Sequence, residues 1–324
     1  MLKRLPQKFR SALKNGALFS AKLIFTGGIF ALLFRHTSFG EVWERMKLLT
    51  AGDMAALFGF LALQLLLSIY RWMAVLDCLN YPVRRVAALR GMLLERLVNS
   101  ALPSFVGGDA GRLMEIRRSG VPFMVGLKSI VLDRALAIAG LVILMVIMLA
   151  RTLAIVSQPE LRLGIAAAII ASALLLVVLV ALPKAFWHRI AGIGGFAPLN
   201  RVASFALLVR ALLRSPRFDL AGFGSSVAIQ LVVVGMVAAL AKSLGVALSL
   251  ADAAALIPIV TLVSMAPLSV AGWGFREGAM VVLLGMAGIA KADALALSMI
   301  QGLATGLFGV LAGLAWLFFP RRRA

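Results

Sequence analysis

The sequence is poor in the residues that build metal and thiol sites. Cys78 is the only cysteine, and His36 and His188 are the only histidines, in a chain of 324 residues. A disulfide, a zinc cluster or a Cys–His catalytic pair needs more of these residues than the chain supplies. No GxxxxGK phosphate loop, nucleophile motif or dinucleotide fingerprint occurs either. We therefore expect no metal site, no cofactor and no catalytic residues.

Charge is also scarce, and hydrophobic residues dominate. Only 14% of the residues are charged and 62% are hydrophobic, with a mean hydropathy of +1.01. Such a chain has too little polar surface to cover a water-soluble globule. Its apolar runs are continuous and reach about 20 residues, the length that a helix needs to cross a bilayer. The sequence therefore predicts an all-α integral membrane protein.

The apolar runs predict about six transmembrane helices and two interrupted segments. The spans are expected at about 16–35, 53–75, 124–150, 162–182, 218–241 and 293–319. The segments 86–117 and 252–288 are apolar enough to enter the membrane but contain Pro and Gly, so we interpret them as re-entrant helical hairpins.

The strongly basic balance predicts orientation in the membrane. Lys and Arg number 33 against 13 Asp and Glu, but they lie in short loops and form no basic soluble domain, so we expect no nucleic-acid partner. The positive-inside rule places both termini in the cytoplasm of a bacterial-type inner membrane, provided that each hairpin returns to its side of origin. Arg71 is counted here as a cytoplasmic loop residue.

This topology predicts an inverted repeat within a single membrane domain, residues 1–324. A span, a hairpin and a span occur in 53–150 and again, in the opposite orientation, in 218–319, an arrangement found in secondary transporters. The connector at 184–217 is interpreted as an amphipathic helix on the cytoplasmic surface, with an ordinary basic loop as the alternative.

The first hairpin contains a predicted helix break. Pro103 is expected to end one helix, Gly107 and Gly108 to allow unusual torsions, and Asp109 to cap the next helix. The resulting helix N-terminus would point into the bilayer, where its free N–H groups can hold an anion.

Charged residues at membrane depth are candidate functional residues. Around the first hairpin the candidates for substrate binding are Glu95, Asn99, Asp109, Arg112, Asp133 and Arg134. Arg112 is expected to donate to phosphate. In the alternative, Arg112 only pairs with Asp109 or Glu115. Arg134 is expected to pair with Glu95 or Asp109, as a structural pair or as a substrate contact.

The second hairpin repeats the same pattern. Its break is expected at Pro267, Gly272 and Gly274. Arg276 and Glu277 begin the next helix, and Trp273 is expected at a headgroup boundary or in an ordinary aromatic belt. In the last span, the four-residue spacing of Gly302 with Gly306, and of Gly309 with Gly313, is assigned to helix packing.

The stretches LPSFVGGDAGRL, KSIVLDRA and APLSVAGWGFREGA resemble the transmembrane domain of the lysylphosphatidylglycerol synthase/flippase family, over about 20–320. The resemblance implies movement of aminoacylated phospholipids between leaflets, and others in the broader group are linked to isoprenoid-type or glycosylated lipids. Full-length synthases continue into an aminoacyltransferase domain, whereas this chain ends at FFPRRRA, so no transfer activity is implied. The positions implied for a shared site are Pro103, Gly107, Gly108, Asp109, Arg112, Asp133, Arg134, Gly272, Gly274, Arg276 and Glu277.

The leading hypothesis is a lipid transporter, not an enzyme. It would move an anionic or zwitterionic phospholipid, or an isoprenoid-type lipid, with Arg112, Arg134 and Arg276 on the phosphate. The alternatives are a membrane-embedded transferase that uses Asp109 or Glu277 as a base, and a non-catalytic partner of a separate lipid-modifying synthase. Homo-oligomerisation is left open.

Overall fold

The structure is a computed structural model that describes residues 39–101, 105–192, 197–213, 220–265 and 274–319. These residues form thirteen α-helices and no strands. In chain order they are α1 Phe39–Lys47, α2 Ala51–Cys78, α3 Arg85–Ala101, α4 Phe105–Arg117, α5 Phe123–Ile147, α6 Leu149–Ile155, α7 Pro159–Ala181, α8 Lys184–Gly192, α9 Ala197–Leu213, α10 Leu220–Ser243, α11 Leu250–Ser264, α12 Phe275–Met286 and α13 Lys291–Phe318.

Five of these helices are long and apolar enough to cross a membrane. They are α2, α5, α7, α10 and α13, with mean hydropathies between 1.8 and 2.9. Each coincides with a predicted span to within a few residues, except that the span expected at 124–150 is divided at Met148 into α5 and the short α6. The span expected at 16–35 lies outside the described residues. The chain is therefore a multi-pass α-helical membrane protein.

Polar contacts between helix ends define one end of the bundle, which we name the upper end. Ser243, the last residue of α10, donates to Asp53 in the first turn of α2 over 2.5 Å. Two ion pairs lie at the same end: Arg45 with Asp293 at 2.9 Å, and Arg151 with Asp252 at 2.8 Å. The start of α2, the end of α10 and the starts of α11 and α13 therefore lie together.

The opposite end, named the lower end, joins α3 and α4 to the last helix. Arg90 of α3 donates to the carbonyl oxygen of Trp316 over 3.3 Å and to that of Phe319. Glu115 of α4 accepts a bond of 2.6 Å from Arg90. The start of α3 and the end of α4 therefore lie beside the end of α13.

Two helical hairpins thus open towards opposite ends of the bundle. The hairpin α3–α4 starts and finishes at the lower end, whereas α11–α12 starts beside the end of α10 and finishes just before α13 begins, at the upper end. Each hairpin packs on one helix of the other unit and one helix of its own. In the first hairpin, α3 packs on α13 of the second unit and α4 packs on α5 of its own unit. In the second hairpin, α11 packs on α5 of the first unit and α12 packs on α13 of its own unit. The first helices of the two units, α2 and α10, pack on each other.

The break in the first hairpin is not at the predicted glycines. Because α4 begins at Phe105, both Gly107 and Gly108 are helical, and Asp109 lies too far into the helix to cap it. Gly108 serves close packing instead, since a Cβ there would lie 2.3 Å from Oδ1 of Asn99. Pro103 lies outside the described residues.

The break in the second hairpin agrees with the prediction where it is described. Gly274 has φ of 89° and precedes the first residue of α12, a backbone conformation that favours glycine. Pro267, Gly272 and Trp273 lie outside the described residues.

The connector forms two helices, α8 and α9, where one helix was expected. α8 and α9 pack on each other, and α9 also packs on α7. Arg210 of α9 is buried. It donates to the carbonyl oxygen of Val180 over 2.6 Å and to that of Leu182. The last carbonyl groups of α7 have no hydrogen-bond donors within the helix, and the buried guanidinium of Arg210 supplies them.

Glycines allow α13 to approach α3 closely. A Cβ added at Gly309 would lie 2.7 Å from the carbonyl oxygen of Arg96, and one at Gly313 would lie 2.4 Å from a methyl group of Leu97. By contrast, a Cβ added at Gly306 would meet nothing within 4 Å. Gly309 and Gly313 therefore carry the packing expected of this spacing, and Gly306 does not.

Gly309→Ala should destabilise the protein because the new Cβ collides with backbone, which cannot move aside like a flexible side chain. We expect a loss of about 1–3 kcal/mol, seen as a lower thermal midpoint of the detergent-solubilised chain. Gly306→Ala is the matched control and should leave the midpoint unchanged or slightly higher, since Ala favours helix over Gly. Equal midpoints for the two variants would contradict this packing.

Candidate functional site

Buried charges meet where α2, α4 and α5 come together. Asp133 of α5 lies between two arginines, with Nε of Arg71 at 2.8 Å and Nη1 of Arg112 at 3.0 Å. All three residues are buried. Since an isolated charge in a low-dielectric interior is very costly, these groups stabilise one another only as a set.

The first hairpin adds two carboxylates to this set. Glu95 of α3 lies 3.3 Å from Nη1 of Arg112, and Asp109 of α4 lies 4.0 Å from the same atom. Asp109 also accepts from Arg134 over 2.7 Å. Of the two partners expected for Arg134, the structure selects Asp109.

An aromatic ring completes the surroundings of Arg112. The guanidinium carbon of Arg112 lies 4.1 Å from the ring centre of Trp72, a geometry of cation–π attraction. Nε1 of Trp72 donates to Oγ of Ser129 over 3.1 Å, which fixes the ring. The buried guanidinium is therefore held by carboxylates and by an indole face.

Arg71 and Trp72 were missed by the sequence analysis, and the reason differs for each. Arg71 was counted as a cytoplasmic loop residue, but it lies within α2 and is buried against Asp133. It falls inside the predicted span 53–75, so the rule that marks charges at membrane depth would have found it. Trp72 has no such signal in the sequence, because a tryptophan near the end of a span is usually assigned to the membrane–water interface.

Arg96 is the cation of this region without a counterion. No carboxylate lies within ion-pair distance of it in the part of the chain that the structure describes, and its buried Nε has no hydrogen-bond partner. Glu95 and Asp133 attract it, while Arg71 and Arg112 repel it.

We name the whole set the lower charge cluster. Its members are Arg71, Glu95, Arg96, Asp109, Arg112, Asp133 and Arg134, which makes four arginines against three carboxylates. With every member ionised, the cluster carries one positive charge in excess.

Several polar atoms around the cluster are buried without a hydrogen-bond partner. On the donor side they are Nη1 of Arg71, Nε of Arg96, and Nε and Nη2 of Arg112. On the acceptor side they are Oδ1 of Asn99, Oδ1 of Asp109 and Oε1 of Gln301. Since buried polar groups are normally satisfied, these donors and acceptors are available to water or to another polar group.

Of the two partners that the alternative named for Arg112, Asp109 lies within ion-pair distance at 4.0 Å, whereas Glu115 does not pair with it. Glu115 pairs instead with Arg90 at 2.6 Å and with the exposed Arg118 at 3.4 Å. Arg90 also lies 5.1 Å from the ring centre of Trp316. This group ties the first hairpin to the end of α13 at the lower end of the bundle.

The second hairpin forms a smaller polar group at the start of α12. The fully buried Glu277 accepts from the N–H of Gly274 over 2.5 Å and pairs with Arg276 at 2.6 Å. Ser298 of α13 accepts from Arg276 over 3.0 Å and donates to Glu277 over 3.1 Å. The helix N-terminus is therefore already occupied by a carboxylate of the chain.

The predicted site residues therefore fall into two groups. Arg276 and Glu277 lie beside Ser298, whereas the lower charge cluster lies near Gly309, where an added Cβ would meet the carbonyl oxygen of Arg96. These points are about 16 Å apart along α13 at 1.5 Å per residue. Gln301 lies between them. In the described residues, no three His, Cys, Asp or Glu side chains are placed to hold a metal ion.

The helices and the buried charges define a multi-pass membrane protein with a polar interior. Residues 19–313 match the family model described as the lysylphosphatidylglycerol synthase TM region, and the chain belongs to this family. No curated protein and no solved structure matches the chain. The resemblance found in the sequence is thereby confirmed.

Asp133→Asn should strongly destabilise the protein, because it leaves Arg71 and Arg112 without their shared counterion. Breaking a buried pair in this way costs about 3–5 kcal/mol, which should appear as a large fall in the thermal midpoint in detergent. Glu44→Gln breaks the exposed pair with Lys47 and should barely change the midpoint. A small effect of Asp133→Asn would mean that the cluster does not hold the fold.

Proposed function

We propose that the protein moves a phosphate-bearing lipid between the two leaflets, with the headgroup passing through the polar interior while the acyl chains stay in the bilayer. Membership of the family supports a lipid-related membrane function. The observation that carries the finer proposal is the excess positive charge of the lower charge cluster, located at Arg96.

An uncompensated arginine inside a membrane protein is costly, by several kcal/mol. A lipid phosphate would remove that cost, because it supplies the missing negative charge. Its oxygens would also accept from the unused donors of Arg71 and Arg112. We therefore assign the phosphate contact to Arg96, with the free Nε and Nη2 of Arg112 as the second donor group.

The hairpins support the same proposal. We interpret α3–α4 and α11–α12 as re-entrant hairpins of an inverted repeat, because they open towards opposite ends and exchange packing partners between the units. In transporters with such repeats, the substrate site lies between the broken helices near the bilayer midplane. The headgroup would travel between the lower charge cluster and the group at Glu277, past Gln301. The lower end would face the cytoplasm of the inner membrane.

The arrangement favours transport over transfer chemistry. The two carboxylates considered as bases are both held by arginines: Asp109 by Arg134 and Glu277 by Arg276. Each carboxylate is therefore already engaged by a cation of the chain. We therefore propose that the chain is not an enzyme.

Arg96→Gln should reduce lipid movement by about tenfold or more, since it removes a charged contact to the phosphate. The measurement is the rate at which NBD-labelled phosphatidylglycerol and phosphatidylethanolamine in proteoliposomes become accessible to dithionite. Arg162→Gln, at an exposed position of α7, is the matched control and should keep the rate of the unaltered chain.

A thermal measurement separates this role from a structural one. Because Arg96 has no counterion, Arg96→Gln should leave the thermal midpoint unchanged or raise it. Full transport by the variant would contradict the phosphate contact. A new lipid species detected by mass spectrometry after incubation would favour the transferase. Absence of movement by the unaltered chain would favour a partner of a separate synthase.

A further inference from the structure

A groove runs along the outside of the bundle between α2 and α3, away from the lower charge cluster. Its volume is about 820 Å³, within the range of about 300–1,000 Å³ typical of ligand clefts. On α2 its wall follows one face, from Leu66 through Tyr70 to Asp77. Arg71 and Trp72 point to the other side of the same helix, into the cluster.

The groove changes in polarity along its length. Leu66 lies towards the middle of α2, and Asp77 lies in the last turn, about 16 Å further along the helix axis. On α3, Arg85 is the first residue and Leu89 follows one turn deeper. The groove is therefore charged at the lower end and apolar towards the interior of the membrane.

The two charges at the mouth are placed against their own helix dipoles. Asp77 lies at the negative end of α2, and Arg85 lies at the positive end of α3, where each is disfavoured. Neither side chain has an ion pair or a hydrogen bond in the part of the chain that the structure describes. Every other described carboxylate except the exposed Glu160 has such a partner. These two charges therefore do not serve the stability of their helices.

We infer that this groove binds a zwitterionic phospholipid of the bilayer that carries a primary ammonium group. Asp77 receives the ammonium, and Arg85 binds the phosphate. One acyl chain lies along Leu66, Ile69, Tyr70 and Leu89. The inference goes beyond the proposed transport, because the site lies outside the bundle and binding there requires no movement of lipid.

The groove fits a lipid better than it fits a protein helix. A transmembrane helix that packs against α2 and α3 would be recognised by small residues along its contact. The groove instead presents one acid and one base at a single end and bulky side chains beyond them. That is the polarity of a phospholipid lying parallel to the helices.

The experiment is native mass spectrometry of the full chain, purified in detergent and given defined lipids. The chain should retain phosphatidylethanolamine more strongly than phosphatidylglycerol, which has the phosphate but no amine. Asp77→Asn should abolish this preference, with phosphatidylethanolamine retained roughly tenfold less. Arg85→Gln should weaken retention of both lipids.

Matched controls lie at the start of α7, where both side chains are exposed. Glu160→Gln and Arg162→Gln should retain phosphatidylethanolamine as the unaltered chain does. Arg96→Gln should lower retention of both lipids alike and keep the preference for phosphatidylethanolamine, because the proposed interior contact involves only the phosphate; this separates the groove from the transport site. The inference is overturned if Asp77→Asn keeps the preference, if the unaltered chain has none, or if a second copy of the chain occupies the groove in place of lipid.

Discussion

The structure depends on one buried carboxylate, Asp133, which holds Arg71 and Arg112 within 3.0 Å. Through these two side chains it joins the first long helix, the returning helix of the first hairpin and the following span. Their charges cannot be hydrated inside a bilayer, so each must be neutralised by another residue of the set. This constraint explains why the charges of the lower charge cluster lie together. Within this set, Arg96 is the cation without a counterion at ion-pair distance. An anion bound beside it would neutralise its charge.

The helix α2 serves two different environments because its two faces differ. Arg71 and Trp72 point inward to the lower charge cluster, while Tyr70 and Asp77 line the outer groove. A lipid bound in the groove would lie one helix away from the interior path. The glycines of α13 keep α3 close on the other side. The entering helix of the first hairpin is thus held against α13.

Much of the architecture could be predicted from the sequence, because hydrophobic run length alone decides which segments can span a bilayer. Charge rules marked Arg112 and Asp133 as charges at membrane depth and offered Glu95 or Asp109 as the partner of Arg134, of which the structure has Asp109. Failures arose where tertiary contact overrides local preference. A glycine pair such as Gly107 and Gly108 favours a helix break, yet both residues lie within a helix. Gly108 leaves the space that Asn99 occupies. Arg210 resembles a surface cation, yet it caps α7. Arg71 lies inside a predicted span and could have been marked from the sequence, but its partner Asp133 is known only from the packing of α5 beside α2.

The central claim is that Arg96 binds a lipid phosphate. The most direct measurement is a cryo-electron microscopy structure of the protein in lipid nanodiscs that contain phosphatidylglycerol and phosphatidylethanolamine. The account predicts phosphate density within hydrogen-bonding distance of Arg96 and of the free guanidinium nitrogens of Arg112. A structure in which Arg96 pairs with a carboxylate of the chain, with no phosphate beside it, would contradict the account.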